Sequence, residues 1–229
     1  MYGVLSDSKI KNEIKNGNII LYDPTGKKEE QLIQNSSVDV TIGEYYYTNT
    51  NGFNGNVYNP WREGDTEKYW NCLKKANIVV NESDAIETGL SIGSSYIKLQ
   101  PGENILAHTE QFIGGKQNIT TMMKGRSSMG RCNIEICGDA GWGDIGYVNR
   151  WTMEIKNKNK CTLVIPVGSR VAQIIFLYTG FSENVYNGKY QTQSNINDII
   201  STWKPESMLP KCYADKSLQS RDIKFGCGV

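Results

Sequence analysis

The sequence predicts a mainly β fold, an antiparallel barrel or sandwich, on three observations. Short apolar runs rich in β-branched residues follow one another closely after Ser91. Turn signals such as Asp23-Pro24-Thr25-Gly26 and Pro101-Gly102 separate the runs. Several runs alternate apolar and polar residues with period two, as in Trp151-Thr152-Met153-Glu154-Ile155. At 229 residues and 38% hydrophobic, the chain can bury roughly 70% of its unfolded surface, so a single domain over residues 1–229 is expected.

In chain order, Ser6 reads as the N-cap of a short helix that puts Ile10 and Ile14 on one face. Asp7 sits in its first turn and Gly17 just past its end. Ile19 to Tyr22 reads as a strand that stops at the Asp23-Pro24 turn, and Val38, Val40 and Ile42 mark a second, half-buried strand. From Thr48 to Pro60 the composition shifts to Asn, Gly and Thr, as in a long exposed loop. Asp65 to Ala76 then reads as a helix, with Tyr69, Cys72, Leu73 and Ala76 at helical spacing. Residues 48–76 are accordingly expected to be an inserted loop-helix segment. Its aromatic residues, Trp61 and Trp70 among them, either pack it onto the body or form a lid or partner surface.

Further strands are expected over 96–99, 105–108, 119–123, 133–137, 151–156, 162–165 and 171–178. Ile196, Ile199, Ile200 and Trp203 predict a late helix ended by Lys204-Pro205, within a C-terminal extension over 196–229.

Composition narrows the function. A net charge of +1, from 25 basic and 24 acidic residues, argues against a nucleic-acid-coating surface, so phosphate binding is expected to be local. Six cysteines, at 72, 132, 137, 161, 212 and 227, form no CxxC pair and read as free thiols of a reducing compartment. The amino terminus enters polar sequence at once, which predicts neither a signal peptide nor a membrane span and a cytoplasmic location.

The densest chemistry lies between Gly125 and Ile155. Gly125-Arg126-Ser127-Ser128-Met129-Gly130-Arg131 gathers guanidinium groups, hydroxyls and unhindered backbone N–H groups, a set suited to a phosphate ester. Ala140-Gly141-Trp142-Gly143-Asp144-Ile145-Gly146-Tyr147 is a glycine-punctuated turn that carries an acid. Glu154 then sits on the polar face of its strand. Alone, such a glutamate is a solvated side chain and the arginines are surface charges. Together, their order and spacing resemble the dCTP deaminase branch of the dUTPase superfamily.

Arg126, Ser127 and Ser128 match that family's arginine-serine-serine segment, with its second arginine at Arg131. Asp144 and Glu154, ten residues apart with Gly146 and Tyr147 between, match its aspartate and catalytic glutamate. Ser36-Ser37-Val38-Asp39-Val40-Thr41-Ile42-Gly43 is similar to its amino-terminal signature, and Lys189-Tyr190 with Gln193 to its lysine-tyrosine-x-x-glutamine segment. Arg170 and Val171-Ala172-Gln173-Ile174-Ile175 resemble a superfamily strand. The resemblance covers about residues 3 to 46 and 90 to 195.

It implies a dUTPase-like distorted jelly-roll barrel with a few short helices, assembled as a homotrimer with sites between subunits. It also implies hydrolytic deamination of dCTP without a metal on the base. Glu154 is the general acid and base, Ser127 and the Ala140 carbonyl orient the water, Arg131 fixes the base and the glutamate, and Thr152 contacts the base. Asp144 meets the 3′-hydroxyl. Arg126, Ser128, Tyr186 and Lys189, flanked by Gln193, lie against the triphosphate, which carries Mg²⁺.

Zinc is not expected. Zinc deaminases use His-x-Glu and Pro-Cys-x-x-Cys, whereas this chain has one histidine, His108, and no cysteine pair at that spacing; Cys132 and Cys137 read as strand residues. Without zinc the water starts at a pKa of about 15.7, so a carboxylate and fixed dipoles must activate it. Ala140-Gly141-Trp142-Gly143-Asp144, with Gly130-Arg131, resembles the members that turn dCTP directly into dUMP and pyrophosphate.

Two other readings stand beside this one. A dUTP diphosphatase lacking deaminase activity is disfavoured by Glu154, where that branch has an apolar residue, and by Phe225-Gly226-Cys227-Gly228, a poor match to its glycine-rich motif. A catalytically idle relative acting through the 48–76 segment is disfavoured by the intact Asp144 and Glu154.

Overall fold

The structure is a computed structural model that describes residues 3–26, 29–49, 52–53, 55–138, 140–193 and 195–215. It opens with β1 (Gly3–Val4), α1 (Asp7–Lys15), β2 (Ile19–Tyr22), β3 (Ile33–Gln34) and β4 (Ser37–Thr48). The middle of the chain forms α2 (Asp65–Tyr69), β5 (Cys72–Lys75), β6 (Asn77–Ile78), α3 (Glu82–Thr88), β7 (Ser95–Leu99) and β8 (Asn104–Gly115). Then come β9 (Ile119–Gly125), α4 (Ser127–Arg131), β10 (Ile134–Ile136), β11 (Trp142–Gly143), β12 (Val148–Asn157), β13 (Leu163–Pro166), β14 (Arg170–Tyr178) and α5 (Ile196–Thr202). The mainly β expectation is met. Cys227 and the Phe225-Gly226-Cys227-Gly228 run lie outside the described residues.

The local signals set the element ends. α1 starts after Ser6 and buries Ile10, although the Ser6 hydroxyl pairs with Ser8 Oγ at 3.0 Å instead of capping a backbone N–H. Asp23 closes β2 by accepting from Thr25 N–H at 2.9 Å and from Thr25 Oγ1 at 2.6 Å. Asn133 and Cys137, at φ +54° and +50°, bound β10, so neither Cys132 nor Cys137 is a strand residue as expected; Cys132 caps α4 and Cys137 starts a bend.

The main sheet runs β10-β12-β8-β4-β14-β9-β11, with β1, β2, β3 and β5 paired along its flanks; β13-β7-β6 forms a second sheet. Among the described residues all pairings are antiparallel. β4 is the corner strand. Its first half pairs with β14 (Val38 with Ile174) and its second with β8 (Tyr47 with Leu106), with a register shift between Ile42 and Tyr46. Gly43 sits at that shift because a Cβ there would fall 1.9 Å from the His108 ring. The sheet curls until β9 and β10 meet closely at Gly125, where an added Cβ would lie 3.2 Å from Ile136 Cβ.

Inside the curl, Trp151, Met153 and Ile155 of β12 are buried with Val38, Val40 and Phe176. Thr152 and Glu154 therefore face the other side of the sheet.

The 48–76 segment differs from expectation. The helix spans only Asp65–Tyr69, and Cys72–Lys75 is a strand, pairing Leu73 with Tyr47 and Cys72 with Thr48. The open edge of β4 supplies hydrogen-bond partners that a helix continued to Ala76 would leave unpaired. Trp70 packs into a cluster with Tyr47, Leu106, Met208 and Leu209, while Trp61 stays exposed. Tyr58 and Tyr69 stack with centroids 4.3 Å apart, and Phe53 packs edge-on against Tyr58 and tilted against Tyr69.

α5 forms where its apolar spacing predicts and is capped by the Asn195 side chain, which accepts from Asn197 N–H at 2.8 Å. Its end docks on the barrel through Trp203, 4.5 Å from the Arg150 guanidinium and 4.7 Å from the His108 ring centre.

Candidate active site

Glu154 is half-buried on the face of β12 away from the core. It borders a cavity of about 530 Å³ lined also by Ala140, Trp142, Asp144, Tyr147, Thr152, Tyr186 and Tyr190, and further by Leu106, Met208 and Pro210. Its size suits a nucleoside-sized ligand. β12 delivers Thr152 and Glu154 two residues apart on one face, and cross-strand pairing sets Glu154 beside Leu106 of β8.

The opposite wall is β11, two residues long and pressed onto β9. Trp142 pairs with Met122 and Gly143 with Thr121, and the Gly143 carbonyl accepts from Thr120 Oγ1 at 2.8 Å. Two glycines make this approach possible. A Cβ on Gly141 would lie 2.4 Å from the Met123 carbonyl oxygen, and one on Gly143 2.4 Å from the Trp151 ring. The chain then turns, with Tyr147 N–H donating to the Asp144 carbonyl at 3.0 Å and Gly146 at φ +91°. That turn leaves the Asp144 side chain exposed at the rim.

Aromatic rings stiffen the floor. Tyr147 packs edge-on against Trp151 and Tyr186, with centroids 5.4 and 5.1 Å away, and Trp151 Nε1–H donates to the Ile113 carbonyl at 3.0 Å. Burial pushes the phenols of Tyr147, Tyr186 and Tyr190 above their usual range; the Asp144 charge adds to this at Tyr186 and the Glu154 charge at Tyr190. All three are therefore neutral hydroxyls near pH 7. Beside the site, the Cys137 thiol is pushed well up, first by burial and then by the Glu154 charge, and Cys137 N–H donates to the Glu154 carbonyl at 2.9 Å.

Of the residues named from sequence, the cavity gathers Glu154, Asp144, Ala140, Thr152 and Tyr186. Arg126, Ser127, Ser128 and Arg131 lie on or beside α4, outside this lining, with both serines and Arg131 exposed. Arg126 is half-buried, with Nη1 3.2 Å from Asp39 Oδ2, an atom that also pairs with Arg170 at 3.1 Å. Burial draws the Asp39 carboxyl upward against the pull of both guanidinium groups. Lys189 borders a smaller polar pocket next door, lined also by Gln193, Tyr190 and Lys211. Within this segment Gln191 makes two tight contacts. Its Oε1 accepts from Val148 N–H at 2.7 Å and its Nε2 donates to the Gly146 carbonyl at 2.9 Å.

His108 is 1% exposed. Its Nδ1 meets the Thr109 carbonyl at 2.8 Å and its Nε2 accepts from Tyr45 N–H at 3.3 Å, so both ring nitrogens serve the barrel corner. Tyr147 and Tyr190 stand in the recognised motifs without an assigned role, whereas Leu106, Met208 and Pro210 carry no sequence signal for the site, since long-range docking alone brings them there.

Comparison with known proteins shows the family of the chain. A family described as dCTP deaminase-like matches residues 4–179. The chain is 31% identical over 178 residues to "dCTP deaminase, dUMP-forming" of Methanobrevibacter smithii, covering 76% of this chain and 79% of the relative. It is 34% identical over 176 residues to the protein of that name from Methanothermobacter thermautotrophicus, covering 76% and 78%. Among solved structures, 2′-deoxycytidine 5′-triphosphate deaminase from Agrobacterium tumefaciens aligns with a TM-score of 0.53 at 16% identity. That alignment covers 77% of this chain and 48% of the other, a likeness of fold.

Proposed function

Because the chain belongs to the dCTP deaminase-like family, we propose that it hydrolyses dCTP to dUMP, ammonia and pyrophosphate. The observation that carries this reading is one cavity bordered by Glu154, Thr152, the Ala140-Gly141-Trp142 wall and Asp144. Relatives that share the family carry the name "dCTP deaminase, dUMP-forming".

In the first step Glu154 takes a proton from water, which adds at C4 of the cytosine and forms the C4–O bond. Glu154 gives that proton to the ring nitrogen N3, then takes the proton of the new C4 hydroxyl and passes it to the amine, so that the C4 carbonyl forms as C4–N4 breaks and ammonia leaves, a role typically worth about 10² to 10⁴ in rate. The Ala140 carbonyl and Ser127 orient the water, Thr152 and Arg131 hold the base, and Asp144 accepts from the 3′-hydroxyl. A second water then attacks the α-phosphorus and displaces pyrophosphate, with Asp144 and Glu154 as the acids at hand. dCTP and two waters thus give dUMP, ammonia and pyrophosphate.

The substrate enters as its Mg²⁺ complex. The cation is carried on triphosphate oxygens and keeps waters of its own, so the protein supplies charge and donors: Arg126, Ser128, Lys189, Tyr186 and Gln193. Since α4 lies outside the cavity lining of its own chain, Arg126, Ser127, Ser128 and Arg131 act from a neighbouring copy in a homotrimer with sites between subunits. A reducing, cytoplasmic setting fits the free thiols of Cys72, Cys132, Cys137, Cys161 and Cys212. Among the described residues no helix is long and apolar enough to cross a membrane.

The test is to incubate wild type and Glu154→Gln with dCTP and Mg²⁺, then separate nucleotides by ion exchange and assay ammonia. Wild type is expected to yield dUMP and pyrophosphate with little dUTP. Glu154→Gln keeps the shape and removes the base, so it should bind nucleotide and release no ammonia. dUTP as the end product would reject the second step. Turnover of dUTP with none of dCTP would favour the diphosphatase reading, and ammonia release by Glu154→Gln at the wild-type rate would remove Glu154 from the mechanism.

A further inference from the structure

The cavity beside Glu154 is completed by residues outside the family match. That match ends at residue 179, yet Met208 and Pro210 line the cavity. Met208 is only 3% exposed and Leu209 8%, in a cluster with Tyr47, Trp70 and Leu106. Cross-strand pairing explains how this cluster reaches the acid. Tyr47 lies opposite Leu106, and Leu106 opposite Glu154, so the three form one row on the same face of the sheet.

Trp70 joins the cluster from the 48–76 segment without lining the cavity. Two further ties hold the extension in place. Lys211 N–H donates to Tyr190 Oη at 3.1 Å and Lys211 Nζ to the Lys189 carbonyl at 3.1 Å. Upstream, Trp203 sits over the Arg150 guanidinium. The wall is thus anchored on both sides of the Pro205–Met208 turn.

We propose that Met208 and Pro210, backed by Trp70, form a specificity-determining wall that limits the size of the ring substituent the pyrimidine site admits. The proposal rests on the reading of this cavity as the cytosine site. A thioether and a pyrrolidine ring make no directional hydrogen bond with a base edge; they select by contact and size. One methyl group against such a wall is worth about 10- to 200-fold in kcat/KM. Trp70 is a positioning residue: it acts on the substrate only through Met208.

The test compares the turnover of dCTP with that of 5-methyl-dCTP, through kcat and KM, in full-length wild type, Met208→Ala, Pro210→Ala and Trp70→Ala, each checked by thermal melting. Met208→Ala and Pro210→Ala are expected to shift the preference toward 5-methyl-dCTP and away from dCTP by about 10-fold or more in kcat/KM, chiefly through tighter apparent binding of the methylated substrate. Trp70→Ala should shift the same preference in the same direction, a change that loss of stability alone would not produce. Pro210 is only half-buried, so its variant keeps the test open if Met208→Ala does not fold. An unchanged preference in a folded Met208→Ala or Pro210→Ala that still turns over dCTP would overturn the wall alone. Failure of wild type to act on dCTP would overturn the reading of the cavity, and the wall with it.

Discussion

Burial of His108, with the neighbouring Arg150 charge adding to it, holds the ring near a pKa of about 4 against an ordinary 6.5. Below pH 6.5 the unfolded chain takes up a proton that the folded chain refuses until about pH 4. Its contribution to stability is therefore complete above 6.5 and lost as pH falls toward 4, by roughly 3 kcal/mol at the bottom of that window. Melting followed from pH 7 to 4.5 is expected to show this decline, and His108→Gln should flatten it. An equal slope in the variant would assign the titration elsewhere. Glu13, held low by the Tyr178 hydroxyl, and Asp65, held low by Arg62, lose their contributions only below the ordinary carboxylate range. At this scale the sequence is most legible where side chains alternate: the period-two run from Trp151 to Ile155 puts Glu154 on the right face of its strand. His108 is illegible by the same means, because what engages its two nitrogens are backbone groups of Tyr45 and Thr109, brought round it by the bend at Gly43.

Among elements, β11 is the one on which the cavity wall depends, and it tolerates little. An alanine at Gly143 would set its Cβ 2.3 Å from Thr121 Oγ1 and 2.4 Å from the Trp151 ring. Gly143→Ala is expected to cost about 1 to 3 kcal/mol through overpacking and to lower dCTP turnover at the same time, because Trp151 supports Tyr147 beneath the cavity. Thermal melting and kcat/KM are the measurements, with Gly180→Ala, which meets nothing within 4 Å, as the comparison. Retention of both stability and turnover would show that β11 gives way without disturbing the site. The sequence marks this element by its glycines but not by its strand pairing. The expected helix over 65–76 fails for a related reason: Cys72 and Leu73 carry helical spacing, while the edge of β4 that claims them lies far off in sequence. α3 is absent from the sequence expectations although its signals are local, with the Asn81 side chain accepting from Asp84 N–H and Gly89 turning at φ +69°.

For the whole molecule, the curled antiparallel sheet follows from strand runs and turns that are readable one by one. Its corner at Gly43 and the docking of the extension depend on contacts no local window contains. The proposed sharing of α4 between copies sets an expectation for assembly. Light scattering should give three times the 25.7 kDa of one chain, and Arg131→Ala mixed with Glu154→Gln should recover part of the activity each lacks, since a mixed trimer can join an intact α4 to an intact Glu154. A fully active monomer would contradict this. Trp70 shares one buried cluster with Met208 and Leu209, which has a consequence for truncation. Removing the chain after residue 203 would strip Met208 and Leu209 from that cluster and open Tyr47, Trp70 and Leu106 to water. A chain shortened there is expected to aggregate where the full-length protein stays dispersed.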